Sequence, residues 1–362
     1  MTWGNPESLG EKALVKFLWP ARVGMGTASF ARMVAYNMGV LKQAQFRADV
    51  ISIGNITVGG TGKTPVTIDL AQRLIADGRK VAVLSRGYKR LSKEKIVVVS
   101  NGKMLMATST ESGDEPYMIA SAVPQATVIV GAKRIETAQL AIDRFGCDTI
   151  ILDDGFQHFA IARNQDVILI DYNDELENDH LLPAGRLREP LSGLARANWI
   201  VITKLPADVD QERMRRLQSV AMRYAPGAQI SACRMVADVL KPFAYSDVTL
   251  GAATVRNTRV FAFCAIARPE SFLDQLRGIG ANVMGYKWFP DHHWYTHQDI
   301  ETIAREYKSV GAEMVITTQK DAVKLLPAMV KDLPLAVLHQ KLEWTGPIPV
   351  VSAIATHRTQ LV

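Results

Sequence analysis

The sequence predicts an α/β fold, with a mostly parallel β-sheet covered by helices and a second, smaller α/β domain. Three observations support this prediction: a strand, a glycine-rich loop and a helix at residues 50–75; alternating strands and helices after them; and a further α/β block beyond Pro226. At 362 residues the chain exceeds the usual size of one domain. We therefore expect domains at residues 49–235 and 236–362, preceded by an N-terminal segment at residues 1–48.

Composition narrows the classes of protein to consider. With 48% hydrophobic and 22% charged residues, the chain is expected to fold without long disordered stretches. The 3 cysteines are far apart, so they form neither a paired zinc motif nor a redox motif. The net charge of +6 is spread along the chain and slightly favours phosphorylated substrates or acidic membrane surfaces, while no feature supports nucleic-acid binding.

The glycine-rich loop predicts a nucleotide site. It follows an apolar strand at residues 50–54 and precedes a helix at residues 64–75. Glycines let backbone N–H groups surround phosphate oxygens, and the helix directs its positive end at the same anion. Lys63 would reach the β- and γ-phosphates, and the Thr64 hydroxyl would bind Mg²⁺. The strict motif has glycine where this chain has Thr57. The predicted nucleotide-binding residues are Thr57, Val58, Gly59, Gly60, Thr61, Gly62, Lys63 and Thr64, which makes the fold P-loop NTPase-like.

Further strands are predicted at residues 81–84, 126–130, 149–152, 167–170 and 199–203. Residues 96–99 and 104–106 are predicted to form a hairpin that turns at Asn101-Gly102. In a parallel sheet, function concentrates at the carboxyl ends of the strands. Arg86, in Ser85-Arg86-Gly87-Tyr88, could bind a phosphate there or lie in a plain surface turn. Asp114 opens a predicted helix, where an acidic residue is either functional or a cap.

Paired carboxylates follow the strand at residues 149–152. Asp153 and Asp154 would repel one another at a buried strand end unless a cation lies between them, and Mg²⁺ prefers carboxylate oxygen. A long polar connection at residues 173–190 contains Glu189 and is more typical of a functional loop than of an idle one.

Histidines cluster in the second block. Asp291, His292 and His293 lie near His297, but zinc binding is disfavoured because the cysteines are distant. An Asp-His pair for proton transfer or phosphate contact is the better interpretation. Lys320 follows a strand at residues 314–318 and could either reach an anion or belong to a plain helix cap.

Residues 1–48 are basic and amphipathic, with six positive and two negative side chains. No signal peptide is evident, and residues 23–41 are too polar for a favourable membrane span. The segment either lies on a membrane surface or packs as a helix on the core.

Three other classes of protein fit part of the pattern. A switch-type ATPase would carry lysine where this chain has Val58. A GTPase would use Lys204 followed two residues later by aspartate, and that position is Pro206. A non-catalytic nucleotide-binding module would not need so many acidic and histidine residues at loop ends.

Eight motifs, in order over nearly the whole chain, resemble the tetraacyldisaccharide 4'-kinases of lipid A biosynthesis. They are residues 54–65, 85–88, 113–116, 153–158, 182–185, 188–190, 291–293 and 320–324. The resemblance implies transfer of the ATP γ-phosphate to the 4'-hydroxyl of an acylated glucosamine disaccharide 1-phosphate, with Mg²⁺. It also implies a peripheral position on the cytoplasmic face of the inner membrane through an N-terminal membrane-associated helix. An anionic membrane surface is thus an expected partner, and no obligate protein partner is evident.

The resemblance also implies residue roles. Asp114 resembles the catalytic carboxylate and His292 its partner, with Asp291 expected to orient the ring and Lys63 assigned to catalysis. The metal-site residues would be Thr64, Asp153, Asp154 and Glu189, and substrate binding is assigned to Arg86, Tyr88, Gln157 and His158. Arg186-Leu187 and Gln319 depart from the family's common residues, which affects only local loop contacts.

Overall fold

The computed structural model describes residues 35–36, 38–243 and 248–349. The predicted N-terminal helix falls mainly on residues 1–34 and so lies outside the described residues. In the described part of the segment, Tyr36 stacks on Phe159, and Ala44 forms an isolated bridge with Ile161.

The N-terminal half of the fold alternates strands with helices, as predicted. Its strands are β1 (Asp49–Asn55), β2 (Val81–Ser85), β3 (Ile96–Asn101), β4 (Thr127–Gly131), β5 (Thr149–Asp153), β6 (Gln165–Asp171) and β7 (Trp199–Thr203). Its helices are α1 (Lys63–Ala76), α2 (Ser109–Ser112), α3 (Asp114–Ala122), α4 (Arg134–Phe145) and α5 (Gln211–Tyr224). Short 3-10 turns lie at Leu176–Asn178 and Leu191–Arg196.

The C-terminal half begins at the long strand β8 (Gln229–Pro242). Its other strands are β9 (Leu250–Gly251), β10 (Arg259–Cys264), β11 (Asn282–Trp288), β12 (Met314–Thr318) and β13 (Leu335–Thr345). Its helices are α6 (Glu270–Gly278), α7 (His297–Ser309), α8 (Gln319–Ala322) and α9 (Pro327–Val330), with a 3-10 turn at Ala252–Val255.

Among the described residues, one 13-stranded sheet joins both halves in the order β11-β10-β12-β13-β8-β7-β6-β1-β5-β2-β4-β3, with β9 on β8. Its pairs are parallel except at β3–β4, β8–β9 and β8–β13. The predicted domain boundary at residue 235 falls inside β8, and the division into domains stays a prediction. The predicted hairpin is present as a single bridge from Ser100 to Leu105 beyond β3.

The central strands of the sheet are covered by helices on both faces. Every residue of β2, β4, β5, β6 and β7 is buried, which is typical of parallel strands between two helical layers. Helix α1 contributes Val66, Leu70 and Leu74 to one face, and α4 contributes Ala138 and Ala141 to the other. The loops at the carboxyl ends of these strands are thereby left to form a site.

Candidate active site

The glycine-rich loop connects the end of β1 to α1. Gly59 and Gly62 have φ values of 115° and 85°, a left-handed region that favours glycine. Gly62 precedes α1 without a side-chain cap, so the first N–H groups of this 14-residue helix stay available to an anion. The loop therefore has the backbone that a phosphate site requires.

Lys63 lies between the loop and the acidic pair. Its Nζ donates to Asn55 Oδ1 at 3.2 Å and lies 3.6 Å from Asp154 Oδ1. Arg188 Nη1 donates to both oxygens of Asp154, at 2.9 and 3.0 Å. Burial raises the pKa of Asp154, but the positive charges of Lys63 and Arg188 outweigh burial and hold that pKa below its usual range. Asp154 is thus an ionised carboxylate facing the loop.

Asp153 is the more buried of the two acids. Its oxygens accept from Thr67 and Ser85, each at 3.3 Å, and Arg134 Nη2 donates to its main-chain carbonyl at 2.8 Å. Burial, followed by the charges of Glu115 and Asp154, raises the pKa of Asp153 to about 6. A divalent cation beside Asp153 would offset the free-energy cost of ionising this buried carboxylate. Hydroxyl and carboxylate oxygens are the donors that Mg²⁺ prefers. The residues present therefore fit Mg²⁺.

The predicted metal ligand Glu189 has close protein partners. Arg196 Nη2 donates to its Oε2 and Gln157 Nε2 to its Oε1, both at 2.7 Å. Gln157 Nε2 also lies 2.9 Å from the carbonyl oxygen of Asn55, at the start of the loop. His158 is half-buried in a turn in which its N–H donates to Gly155 O at 2.8 Å. This network links the loop to residue 189, and the assigned roles of Glu189, Gln157 and His158 stay predictions.

Arg86 and Tyr88 follow β2 and are exposed. The ring of Tyr88 lies edge-on to His292, with 5.9 Å between ring centroids. Gly87, between Arg86 and Tyr88 in the sequence, has a φ of 71°. A Cβ at this position would lie 2.3 Å from Val130 Cγ1. The turn therefore holds Tyr88 at the border between the halves.

Asp114 and His292 meet although 178 residues separate them. Asp114 is the first residue of α3, and its Oδ2 lies 2.7 Å from His292 Nδ1. Its Oδ1 accepts the N–H of Glu115 at 2.9 Å. Burial raises the pKa of Asp114, but the hydrogen bond with His292 and the charge of Lys320 outweigh it and lower the pKa overall.

Asp291 lies beside the ring but not in hydrogen-bonding contact with it. Its Oδ2 is 3.8 Å from His292 Nε2, and its Oδ1 accepts from Lys320 at 3.1 Å. His292 itself has a φ of 64°, a strained value for a residue with a side chain. The carboxylate in contact with the ring is therefore that of Asp114, and the orienting role of Asp291 stays a prediction.

Several charged residues near the site were given no role from the sequence. Lys204 Nζ contacts the carbonyl oxygen of Gly60 and lies 2.9 Å from Asp171 Oδ2, which Arg268 of the C-terminal half approaches at 3.4 Å. Arg134 is buried and contacts the ends of β2 and β5. In the sequence, the only indication that these charged residues lie near the site is that each follows shortly after a predicted strand.

Two features are absent from the part of the chain that the structure describes. Across residues 35–36, 38–243 and 248–349, no helix is both long and apolar enough to cross a bilayer. Within the same ranges, no group of three or more His, Cys, Asp and Glu side chains is arranged to hold a metal ion. A Mg²⁺ ion bound with nucleotide needs fewer protein ligands, because phosphate oxygens and waters complete its shell.

Comparison with known proteins extends these observations. The family model for LpxK, tetraacyldisaccharide-1-P 4'-kinase, matches residues 14–357. Tetraacyldisaccharide 4'-kinase of Anaeromyxobacter sp. (strain Fw109-5) is 38% identical over 330 residues, which are 91% of this chain and 88% of that protein. Its counterpart in Pelobacter propionicus is 34% identical over 354 residues, covering 97% and 94% of the two chains.

A solved structure agrees with the sequence relatives. The crystal structure of LpxK from Aquifex aeolicus in complex with ATP matches with a TM-score of 0.71 and 29% identity, covering 92% of this chain and 95% of that one. This confirms the predicted α/β, P-loop fold. The family match spans the loop, the acidic pair and the Asp114–His292 contact, and the chain belongs to the tetraacyldisaccharide-1-P 4'-kinase family.

Proposed function

We propose that the protein transfers the γ-phosphate of ATP to the 4'-hydroxyl of tetraacyldisaccharide 1-phosphate, which yields a bisphosphorylated lipid A precursor. Family membership supports the reaction. The observation that carries the proposal is the Asp114–His292 contact at 2.7 Å, which joins one residue from each half. Glu115 links the acidic pair to the C-terminal half. Its charge helps to raise the pKa of Asp153, and its Oε1 lies 3.7 Å from Lys320 Nζ.

The N-terminal half supplies the nucleotide site. The loop N–H groups and Lys63 would bind the triphosphate, and Thr64 with Asp153 and Asp154 would hold Mg²⁺. When bound, Mg²⁺ neutralises charge on the β- and γ-phosphates. The Aquifex aeolicus relative was crystallised with ATP, which supports the same nucleotide here.

Asp114 acts as the base. The lowered pKa of Asp114 keeps its carboxylate ionised at neutral pH, so it can accept the proton of the 4'-hydroxyl. A weak base suffices because the transferred phosphoryl group passes through a loose transition state. The hydroxyl oxygen bonds to the γ-phosphorus as the bond to ADP breaks. Tyr88 lies beside His292 at the border between the halves, where the disaccharide would bind with the help of Arg86.

The test is ATP consumption with and without the acylated disaccharide 1-phosphate. We expect ADP release to depend on the disaccharide and to match formation of the 4'-phosphorylated product. Equal ATP turnover in both reactions, without a phosphorylated lipid, would contradict the proposal and favour the switch-type ATPase.

The acylated substrate also supports a peripheral position on the cytoplasmic face of the inner membrane. Residues 1–48 carry a net charge of +4, and each basic residue near an anionic surface contributes about 1 kcal/mol. Deleting residues 1–34 preserves the contacts of Tyr36 and Ala44 with the fold. We expect this deletion to release the protein from anionic liposomes in co-sedimentation. Unchanged sedimentation of the shortened protein would contradict the anchor.

A further inference from the structure

The edge of the sheet at β3 exposes several large apolar side chains. β3 is the last strand in the sheet order, and residues 104–106 turn back along it, with the N–H of Met106 donating to Val99 O at 2.8 Å. The segment before β3 is tied to the same edge, because the N–H of Leu91 donates to Thr110 O of α2 at 2.9 Å. We call residues 88–95 and 103–106 the hairpin corner. Its exposed apolar side chains are Tyr88, Leu91, Met104, Leu105 and Met106.

Clustering distinguishes the hairpin corner from ordinary exposed residues. A single exposed apolar side chain needs no explanation, as with Met222 on α5, which is 57% exposed. In the hairpin corner, Leu91, Met104 and Met106 are 71%, 62% and 55% exposed. Edge strands usually carry charged side chains or a covering element that keeps them from associating with other surfaces. An edge that presents methionine and leucine in succession is instead typical of a surface that contacts a partner.

Basic side chains lie among these apolar residues. The hairpin corner has five basic side chains and one acidic side chain, which are Lys89, Arg90, Lys93, Lys95, Lys103 and Glu94. All of them except Arg90 are exposed. Apolar side chains that enter the headgroup region, beside lysines that are attracted to anionic lipid, are the combination that binds a membrane surface. A second copy of the chain would bring the same positive charge, and the two corners would repel one another. The pattern therefore favours an anionic bilayer as the partner.

The hairpin corner adjoins the candidate active site. Tyr88, at the start of the corner, has its ring centroid 5.9 Å from that of His292 in the C-terminal half. The helix α2, to which Leu91 is tied, is separated from Asp114 by Gly113 alone. A bilayer that contacted the corner would therefore lie beside the place where the acylated disaccharide is expected to bind.

We propose that the hairpin corner is a second membrane-docking surface, which binds an anionic bilayer independently of residues 1–34. The inference rests on the proposed function, whose acylated acceptor lies in a bilayer. Met104, Leu105 and Met106 enter the headgroup region, and the exposed lysines contact lipid phosphates. A single attachment leaves the protein free to change its orientation on the membrane, whereas two attachments bind more tightly and fix which face meets the lipid. The site is thereby held toward its substrate.

The first test places a fluorophore in the hairpin corner of the full chain. Met104→Cys can be labelled selectively with an environment-sensitive dye, because Cys147, Cys233 and Cys264 are buried. With vesicles of phosphatidylcholine and phosphatidylglycerol, we expect the emission to shift to the blue and to be quenched by lipids with brominated acyl chains. Met222→Cys, labelled in the same way, should show neither effect.

Three outcomes of this measurement would overturn the proposal. Absence of quenching at residue 104 in vesicle-bound protein would show that the corner faces water while another segment holds the protein. Equal quenching with vesicles of phosphatidylcholine alone would exclude the attraction of the lysines to anionic lipid. A blue shift that grows with protein concentration in the absence of vesicles would assign the corner to a second copy of the chain.

The second test is kinetic and uses a variant with Met104→Ser, Leu105→Ser and Met106→Ser together. Membrane binding strengthens with the apolar area buried in lipid, so we expect KM for the disaccharide in anionic vesicles to rise about tenfold. In detergent micelles, kcat should stay unchanged, and Met222→Ser should behave as the wild type in both. An unchanged KM in vesicles would contradict the proposal. If the wild type fails to phosphorylate the disaccharide, the proposed function fails, whereas the quenching result still decides whether the corner docks.

Discussion

The two sides of the candidate site are built in different ways. Around the phosphate-binding loop, the partners that Lys63 and Asp154 have among the described residues come from the N-terminal half. At the Asp114–His292 contact, the partner comes from the C-terminal half. Nucleotide binding is therefore expected to survive changes that separate the halves, whereas phosphoryl transfer is expected to require both.

Lys63→Ala should give the largest loss. It removes the cation between the loop and Asp154, so both nucleotide affinity and the stabilisation of transferring charge fall. We expect kcat/KM for ATP to drop by about 10³-fold or more, measured as disaccharide-dependent kinase activity. Lys133→Ala, at an exposed lysine on the same half, should be near normal. Near-normal activity of Lys63→Ala would refute its role.

Asp114→Ala should separate chemistry from binding. Loss of a general base lowers kcat by about 10²–10⁴-fold, while the nucleotide contacts of the loop remain. The measurement is kcat together with the Kd for ATP from equilibrium titration, and Asp143→Ala on the exposed face of α4 is the control. A variant with wild-type kcat would remove Asp114 from the mechanism.

Gly54→Ala should damage the N-terminal side alone. A Cβ at this position would lie 2.5 Å from Phe156 Cβ and 2.9 Å from its main-chain nitrogen, just after the acidic pair. We expect the free energy of unfolding to fall by about 1–3 kcal/mol, measured by chemical denaturation. Gly227→Ala, which has nothing within 4 Å of the added Cβ, serves as control. Equal stabilities for the two variants would show that the crowding is relieved without cost.

His339→Gln should have the smallest effect. His339 lies in β13, which pairs with β8 inside the C-terminal half, and burial followed by the charge of Lys241 lowers the pKa of His339 to about 4. A lowered histidine pKa contributes stability above about pH 6.5 that is lost as the pH falls toward 4. We expect the variant to lose less stability than the wild type over that range in denaturant titrations. Parallel losses would assign the pH dependence to other groups.

The comparison also explains which features could be predicted. The loop at residues 57–64 and the Asp153–Asp154 pair were readable because each follows one strand and acts through neighbouring residues. From the residues alone, sequence spacing gave no distance between Asp114 and His292, and only the family resemblance paired them. The approach of Lys320 to His292 and of Arg268 to Asp171 depends on how the C-terminal strands face the N-terminal half. No local pattern encodes that arrangement.

The most direct test of a site shared between the halves is a double-mutant cycle on Asp114 and His292. Asp114→Asn, His292→Gln and the double variant are compared by kcat with the acylated disaccharide. Residues that act as one unit are strongly non-additive, so we expect the double variant to be about as slow as the slower single variant. Losses that multiply would show that the two residues act independently and would contradict the account.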